Sequence, residues 1–220
     1  MPRLANRLLP ALLLVSIAPA AAVAQACLGN GSFAGNHLQM NAAYVTVDEV
    51  DEVGASFVSG SNSVFAGLGV SSYSIGDGSS SVRIGGTLGY QVPVSTSGRV
   101  QVCPVLSATV GLPSDDFGGT GNEYRTQSFG FGVAVGGTLL RAERFALVPS
   151  LSAGVQRDVL TVGGLPGADI ADTYGTVGLA LGFLFNDALS LRPSIRIPIG
   201  ATFDDPVYGI GVSLNYGGRR

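Results

Sequence analysis

From about residue 62 to the C-terminus the chain alternates between two unlike kinds of side chain. The clearest stretch sets Leu189, Leu191, Pro193, Ile195, Ile197 and Ile199 against Ser190, Arg192, Ser194, Arg196, Pro198 and Gly200. A period of two puts successive side chains on opposite faces of a strand. Here one face is bulky and apolar, and the other is glycine, serine, threonine and an occasional arginine. A soluble sheet protein needs its bulky residues to fill an interior. This pattern instead turns the large side chains outward, toward lipid.

Composition narrows the alternatives. Hydrophobic residues make up 46% of the 220-residue chain and charged residues only 12%, with no lysine; soluble domains carry about 25% charge. Mean hydropathy is +0.39. The 33 glycines follow no triplet repeat, which excludes a collagen, and the regular apolar alternation argues against disorder. Glycine is being used as a small side chain.

Residues 1–26 read as a secretory signal peptide: Arg3 and Arg7 precede the apolar run Leu8–Val15, and Ala24-Gln25-Ala26 is a small-x-small cleavage site. The run is interrupted by Pro10 and Pro19 and is too short to span a bilayer as a helix. No later run of 18 apolar residues occurs. Cleavage leaves a net charge of about −5, which gives no support to nucleic-acid binding.

Inside a bilayer only helices and closed barrels satisfy every backbone hydrogen bond, so an exported chain without spanning helices that crosses a membrane must do so as a barrel. Alternating runs fall at 206–217, 189–201, 173–186, 144–158, 126–140, 99–112, 80–93 and 62–74, with two weaker runs at 37–48 and 52–60. Their lengths meet the about 9–11 residues that a tilted strand needs. Ten strands are favoured over eight because Val53, Ala55 and Phe57 alternate with Gly54, Ser56 and Val58. The expected fold is an all-β, closed, antiparallel up-and-down transmembrane barrel over residues 37–217. It follows an N-terminal tail at 27–36 and ends in a tail at 218–220. Arg141-Ala142-Glu143, Asn186-Asp187-Ala188 and Ser95–Gly98 read as tight periplasmic turns. Pro113–Arg125 and Val159–Asp172 read as long extracellular loops. Even parity places both termini in the periplasm.

Aromatic residues on the bulky face form two groups, as the interfaces of a spanning barrel require. Tyr90, Phe145, Phe183, Phe185 and Tyr216 fall near the expected periplasmic ends, and Tyr44, Phe129 and Tyr208 near the extracellular ends.

The signal peptide, strands such as Thr176–Phe183 and the final Tyr208–Tyr216 segment resemble the small outer-membrane β-barrel superfamily, which includes the OmpA and OmpX transmembrane domains. The resemblance covers most of the mature chain. It implies residence in the outer membrane of a Gram-negative envelope, contact with membrane lipid and lipopolysaccharide, and insertion by the barrel-assembly machinery. Family members often end on the aromatic itself, whereas here Gly217-Gly218-Arg219-Arg220 follows. The pattern identifies an architecture and not an activity.

Strand parity points Cys103 into the lumen near the periplasmic mouth, and Cys27 begins a periplasmic tail. A Cys27–Cys103 disulfide is expected ahead of lipidation at Cys27, because Ala24-Gln25-Ala26 is a poor lipobox. Within the lumen, Gly130, Gly132, Ala134, Gly136, Gly178, Ala180, Gly182, Gly209 and Gly211 form a small-residue wall that leaves room for Arg192 and Arg196. These guanidinium groups need counter-charge or water. Glu52 and Asp158 share the inward parity. We expect an Arg83–Glu52 pair and a hydrated Arg192/Arg196 cluster, with a structural network ranking ahead of an anion-selective constriction.

Catalysis is a competing class, represented by outer-membrane proteases and lipid A-modifying enzymes. The single histidine, His37, lies at the periplasmic start of the first run, and the doublets Asp115-Asp116 and Asp204-Asp205 lack a base partner. They read as solvated loop charges, as does the acidic tip at Asp48, Glu49, Asp51 and Glu52. No nucleotide fingerprint, P-loop or zinc-ligand spacing occurs, so no catalytic, cofactor or metal site is assigned. A secreted β-sandwich adhesin would explain the export, but its core would be too rich in glycine. The expected function is an integral outer-membrane barrel with a structural or narrow-pore role, not an enzyme.

Overall fold

The computed structural model describes residues 36–48, 50–61, 64–75, 80–94, 100–113, 124–162, 170–185, 188–202 and 204–216. These form ten long strands: β1 (Asn36–Val47), β2 (Val50–Ser61), β3 (Val64–Ile75), β4 (Ser80–Tyr90), β6 (Val100–Gly111), β7 (Tyr124–Gly137), β9 (Phe145–Val162), β10 (Ile170–Phe185), β11 (Leu189–Ile199) and β12 (Val207–Tyr216). Two short strands extend the ladders: β5 (Val92–Pro93) pairs with β6, and β8 (Leu140–Ala142) pairs with β9. Each long strand pairs antiparallel with its neighbour in sequence. The last closes on the first through Leu38 opposite Tyr216 and Thr46 opposite Tyr208. The result is a closed, ten-stranded, up-and-down barrel, with no helix among the described residues.

The register can be followed from Ala42 to Ala55, Val70, Ile84, Val110, Gln127, Val159 and Ala171. Continued round the remaining ladders, it returns to β1 displaced by about 12 residues, which corresponds to a strand tilt of about 40°. Closure removes every long sheet edge.

Alternation decides which way each side chain points. On β2 Val53, Ala55 and Phe57 are exposed while Glu52 and Val58 are buried; on β6 Leu106, Ala108 and Val110 are exposed while Cys103 and Thr109 are buried. The exterior therefore carries large apolar side chains all round the barrel, including Leu68 at 71% exposure and Leu179 at 57%. The interior collects Gln39, Asn41, Glu52, Arg83, Gln156, Asp158 and Arg192.

Three expectations are corrected. The loop proposed for Val159–Asp172 is strand at both its ends: β9 runs to Val162 and β10 begins at Ile170, with Ile170 opposite Leu160, and residues 163–169 lie outside the described residues. The β-branched Val159, Thr161 and Val162 extend the ladder, and buried Leu160 anchors it. The turn placed at Arg141-Ala142-Glu143 sits later, because Arg141 and Ala142 belong to β8 and only Glu143-Arg144 separate Ala142 from its partner Phe145. The end that carries the long connections also carries a short one, so connection length does not strictly alternate. Val47 pairs with Val50 across a two-residue link at the end where the 12-residue β6–β7 connection lies. Asp48 there adopts φ of 48°, a left-handed conformation that aspartate tolerates in tight hairpins. Residues 1–35, Ser95–Gly98, Asp115-Asp116 and 217–220 lie outside the described residues; His37 pairs with Gly60 at the start of β1.

Candidate functional site

The inner wall carries Glu52, Asp158 and half-buried Asp172 and three guanidinium groups among the described residues, and the register explains how they meet. Glu52 on β2 faces Tyr73 on β3, and Arg83 on β4 faces Ser71, so the three side chains of the diagonal Glu52, Tyr73 and Arg83 converge on the lumen. Arg83 Nη1 lies 3.6 Å from Glu52 Oε2, and Arg83 Cζ stacks 4.1 Å from the centre of the Tyr73 ring. Both charged side chains are almost fully buried. An ion pair removed from water in this way depends on its partner far more than a surface pair does.

A second network is built across β7, β9 and β10. Ser128 faces Asp158, and Tyr174 faces Gln156. The Asp158 carboxylate accepts hydrogen bonds from Ser128 Oγ at 2.7 Å, Gln156 Nε2 at 3.2 Å and the Tyr174 hydroxyl at 2.8 Å. Gln156 Nε2 also donates to Ser128 Oγ at 3.1 Å. Arg196 lies within electrostatic range of Asp158, Glu52 and Tyr174, so the two networks share one level of the lumen.

Arg192 projects inward four residues before Arg196 on β11, toward the end that carries Phe185 and Leu189. Both arginines line a cavity of about 100 Å³. Its wall is the small-residue surface of β7, β9 and β10, with Gly130, Gly132, Gly154 and Gly178 beside Ser150 and Ser152. Close approach explains these glycines: a Cβ on Gly154 would fall 2.7 Å from the Phe131 carbonyl oxygen, and one on Gly178 would fall 2.6 Å from Ser152 Oγ. A second cavity of about 40 Å³ lies against β1 to β4, lined by Asn41, Ser56, Gly67 and Thr87.

The small-residue wall therefore leaves less room than expected, because bulky side chains enter the lumen toward its ends. Val47, Tyr73, Leu160 and Tyr174 are buried toward one end, and Phe65, Val148 and Leu184 toward the other. Sequence reasoning passed over Phe65, Tyr73, Tyr174, Ser128 and Gln156 as lumen residues. Their strand parity was the available signal, since Phe65 and Tyr73 alternate with outward Val64, Ala66, Leu68 and Val70.

Cys103 is wholly buried on the inner wall, opposite Ala134, while Cys27 lies outside the described residues. All eight interface aromatics project outward. Tyr44, Tyr90, Phe129, Phe185, Tyr208 and Tyr216 are exposed, and half-buried Phe145 packs against Phe183 and Phe185 with ring centres 6.4 and 5.7 Å apart. The Tyr44 hydroxyl donates to Asp51 Oδ1 at 2.6 Å. Asp204 and Asp205 are exposed, and no group of three or more metal-ligating residues occurs among the described residues.

No family model matches the sequence, and no curated protein matches it. The structure is similar to the N-terminal β-barrel domain of Pseudomonas aeruginosa OprF, at 13% identity over 83% of this chain and 98% of that one, with a TM-score of 0.41. It is similar to Ail, the attachment invasion locus protein of Yersinia pestis, at 12% identity over 83% and 99% of the two chains, with a TM-score of 0.40. It is also similar to the translocator domain of autotransporter NalP from Neisseria meningitidis, at 13% identity over 90% and 93%, with a TM-score of 0.46.

Proposed function

We propose that this protein is an integral outer-membrane barrel with a structural role, its lumen closed by the internal polar network. The observation that carries the proposal is the inversion of the ordinary burial pattern. Arg83, Arg192, Glu52 and Asp158 are inside, while Leu68, Leu88, Leu106, Phe131, Leu179 and Ile197 stand exposed outside. In water such an exterior would drive aggregation; against acyl chains it carries no penalty. Strands of 11–12 residues at a tilt of about 40° rise about 27 Å, matching the about 25 Å apolar band of such barrels. The outward aromatics near both ends of the strands support the same placement. Membrane lipid and lipopolysaccharide are then the natural contacts of the exterior, with the barrel-assembly machinery acting during insertion.

Both chain termini share one end of the barrel, because Leu38 lies opposite Tyr216. We assign that end to the periplasm. The same assignment places Cys103 within reach of a periplasmic tail that begins at Cys27, and a disulfide between them belongs to the proposal. No catalytic role is assigned.

A narrow pore is the second reading, favoured by the cavity that Arg192 and Arg196 border. Planar-bilayer recording separates the two. A closed structural barrel gives no discrete conductance steps. Steps that are anion-selective and weakened by Arg192→Ala/Arg196→Ala would replace the structural reading with the pore. Recovery of the purified protein as a monodisperse species in detergent-free buffer would overturn membrane residence altogether.

A further inference from the structure

We propose that an oblique groove in the outer wall of the barrel, from β3 to β9, holds an outer-leaflet lipid of the lipopolysaccharide class, with Arg157 bound to a lipid phosphate. The inference rests on the membrane placement proposed above and names one partner of that outer face. The groove has a volume of about 950 Å³, within the about 300–1,000 Å³ of ligand sites. Paired positions trace it across the sheet: Leu68 faces Gly86, Gly86 faces Ala108, Ala108 faces Phe129, and Phe129 faces Arg157. Leu88, Leu106, Phe131 and Val155 form the adjacent row, nearer the end that carries the termini.

Shape is the first observation. Gly86 and Ala108 form the floor of the groove, and Gly86 points outward between exposed Ile84 and Leu88 on β4. Packing within the barrel does not demand a glycine there. A Cβ on Gly86 would meet nothing nearer than Leu68 Cδ2 at 3.5 Å, an ordinary contact, whereas the inward Gly154 and Gly178 are forced by much closer neighbours. Glycine inside a strand is unfavourable, and where the sheet itself does not require it, it marks the close approach of another molecule.

Charge and height are the second. Among the described residues the outward positions of the ten long strands carry three charged side chains, Asp51, Arg125 and Arg157. Asp51 accepts a hydrogen bond from Tyr44 and belongs to β2, five strands from β9 and so on the opposite side of the barrel. Both arginines are exposed, and no carboxylate occupies a described outward position on β6, β7, β9 or β10. Leu68 lies near the middle of β3, and Arg157 in the last third of β9, remote from the termini. Each step of about 4.8 Å between strands climbs about 3 Å at a tilt of about 40°, so four steps raise Arg157 about 12 Å above Leu68. That is half of the about 25 Å apolar band, and it sets Arg157 at the band's outer margin beside the interface aromatic Phe129. Arg125, four residues further along β7, stands about 10 Å higher. A guanidinium matches phosphate with two parallel hydrogen bonds. A lipid with acyl chains along the apolar row and its phosphate at Arg157 fits both observations. A second copy of the barrel, related by a two-fold axis along the membrane normal, would instead set Arg157 against Arg157 at equal height.

The test is native mass spectrometry of the full-length mature barrel in detergent, titrated with bisphosphorylated lipid A and with the same lipid stripped of its phosphates. A one-to-one complex with the phosphorylated lipid is expected. Arg157→Gln is expected to weaken it about tenfold or more, the loss of a charge-assisted hydrogen bond, and Gly86→Leu to weaken it comparably by filling the floor of the groove. Arg144→Gln, exposed on the hairpin at the other end of the barrel, leaves it unchanged. Equal binding of the dephosphorylated lipid overturns the proposal, as does lipid A binding that survives Arg157→Gln or Gly86→Leu. A dimer that Gly86→Leu dissociates also overturns it and assigns the groove to a second copy. If Gly86→Leu fails to fold, Ala108→Leu fills the same floor. Any of these failures in a barrel that still inserts into vesicles removes the lipid site alone, whereas a barrel stable in detergent-free buffer removes membrane residence and the site with it.

Discussion

Replacing Glu52 with alanine removes the one carboxylate in ion-pair contact with Arg83 among the described residues and leaves a guanidinium that is 1% exposed. Breaking a buried ion pair from one side costs about 3–5 kcal/mol, because the surviving charge has neither water nor partner. Two features place this case at the lower end. The 3.6 Å separation is longer than a tight charge-assisted hydrogen bond, and the Tyr73 ring 4.1 Å from Arg83 Cζ still stabilises the cation. The expected loss is about 3 kcal/mol. Substituting both partners by apolar residues, Glu52→Leu with Arg83→Met, removes the stranded charge and is expected to cost much less than the two single changes added together. Urea unfolding of the barrel reconstituted in lipid vesicles, followed by far-ultraviolet circular dichroism, measures both. A loss below about 1 kcal/mol for Glu52→Ala, or simple additivity in the double variant, would show that water solvates the pair and refute the closed-lumen picture at this level.

Leu68→Arg and Leu179→Arg place a charge on the outer face at mid-height, and each is expected to destabilise the vesicle-inserted barrel by about 2–4 kcal/mol; a neutral effect would show that this face meets water. Gly89→Ala directs a methyl group into the ring of Phe65, its cross-strand partner. The expected cost is about 1–3 kcal/mol, and it should vanish in a Phe65→Ala background in the same unfolding assay. Intact mass under non-reducing conditions is expected to be two hydrogens lighter than after reduction, and Cys103→Ser to lower stability by about 4 kcal/mol, for a loop of about 76 residues closed between Cys27 and Cys103. A diacylglycerol adduct on Cys27 would exclude that bond.

Much of the architecture was legible because a barrel strand repeats one decision at every second residue. Val53, Ala55 and Phe57 against Gly54, Ser56 and Val58 suffice to orient β2, and the same parity points Arg83, Glu52, Arg192 and Arg196 inward. Strand ends were less legible. Alternation fades where a strand leaves the apolar band, so β9 and β10 each extend into a segment that reads as a loop. The turn after β8 was misplaced for a related reason. One more residue lies between Gly136 and Leu140 than between their partners Ser150 and Leu147, and this bulge shifts the parity on which the turn position depended.

The sequence by itself determined the all-β class, the two-faced strands and the chemical character of each face, since these follow from side-chain volume and polarity read at a period of two. It could not determine which lumen groups touch. That depends on the stagger accumulated around ten tilted strands, which brings Ser128 and Tyr174 together on Asp158. It depends equally on how far Phe65, Tyr73, Tyr174 and Leu160 reach across a space bounded by all the strands at once. Contacts of this kind join residues remote in sequence, and only closure of the sheet fixes the distance between them.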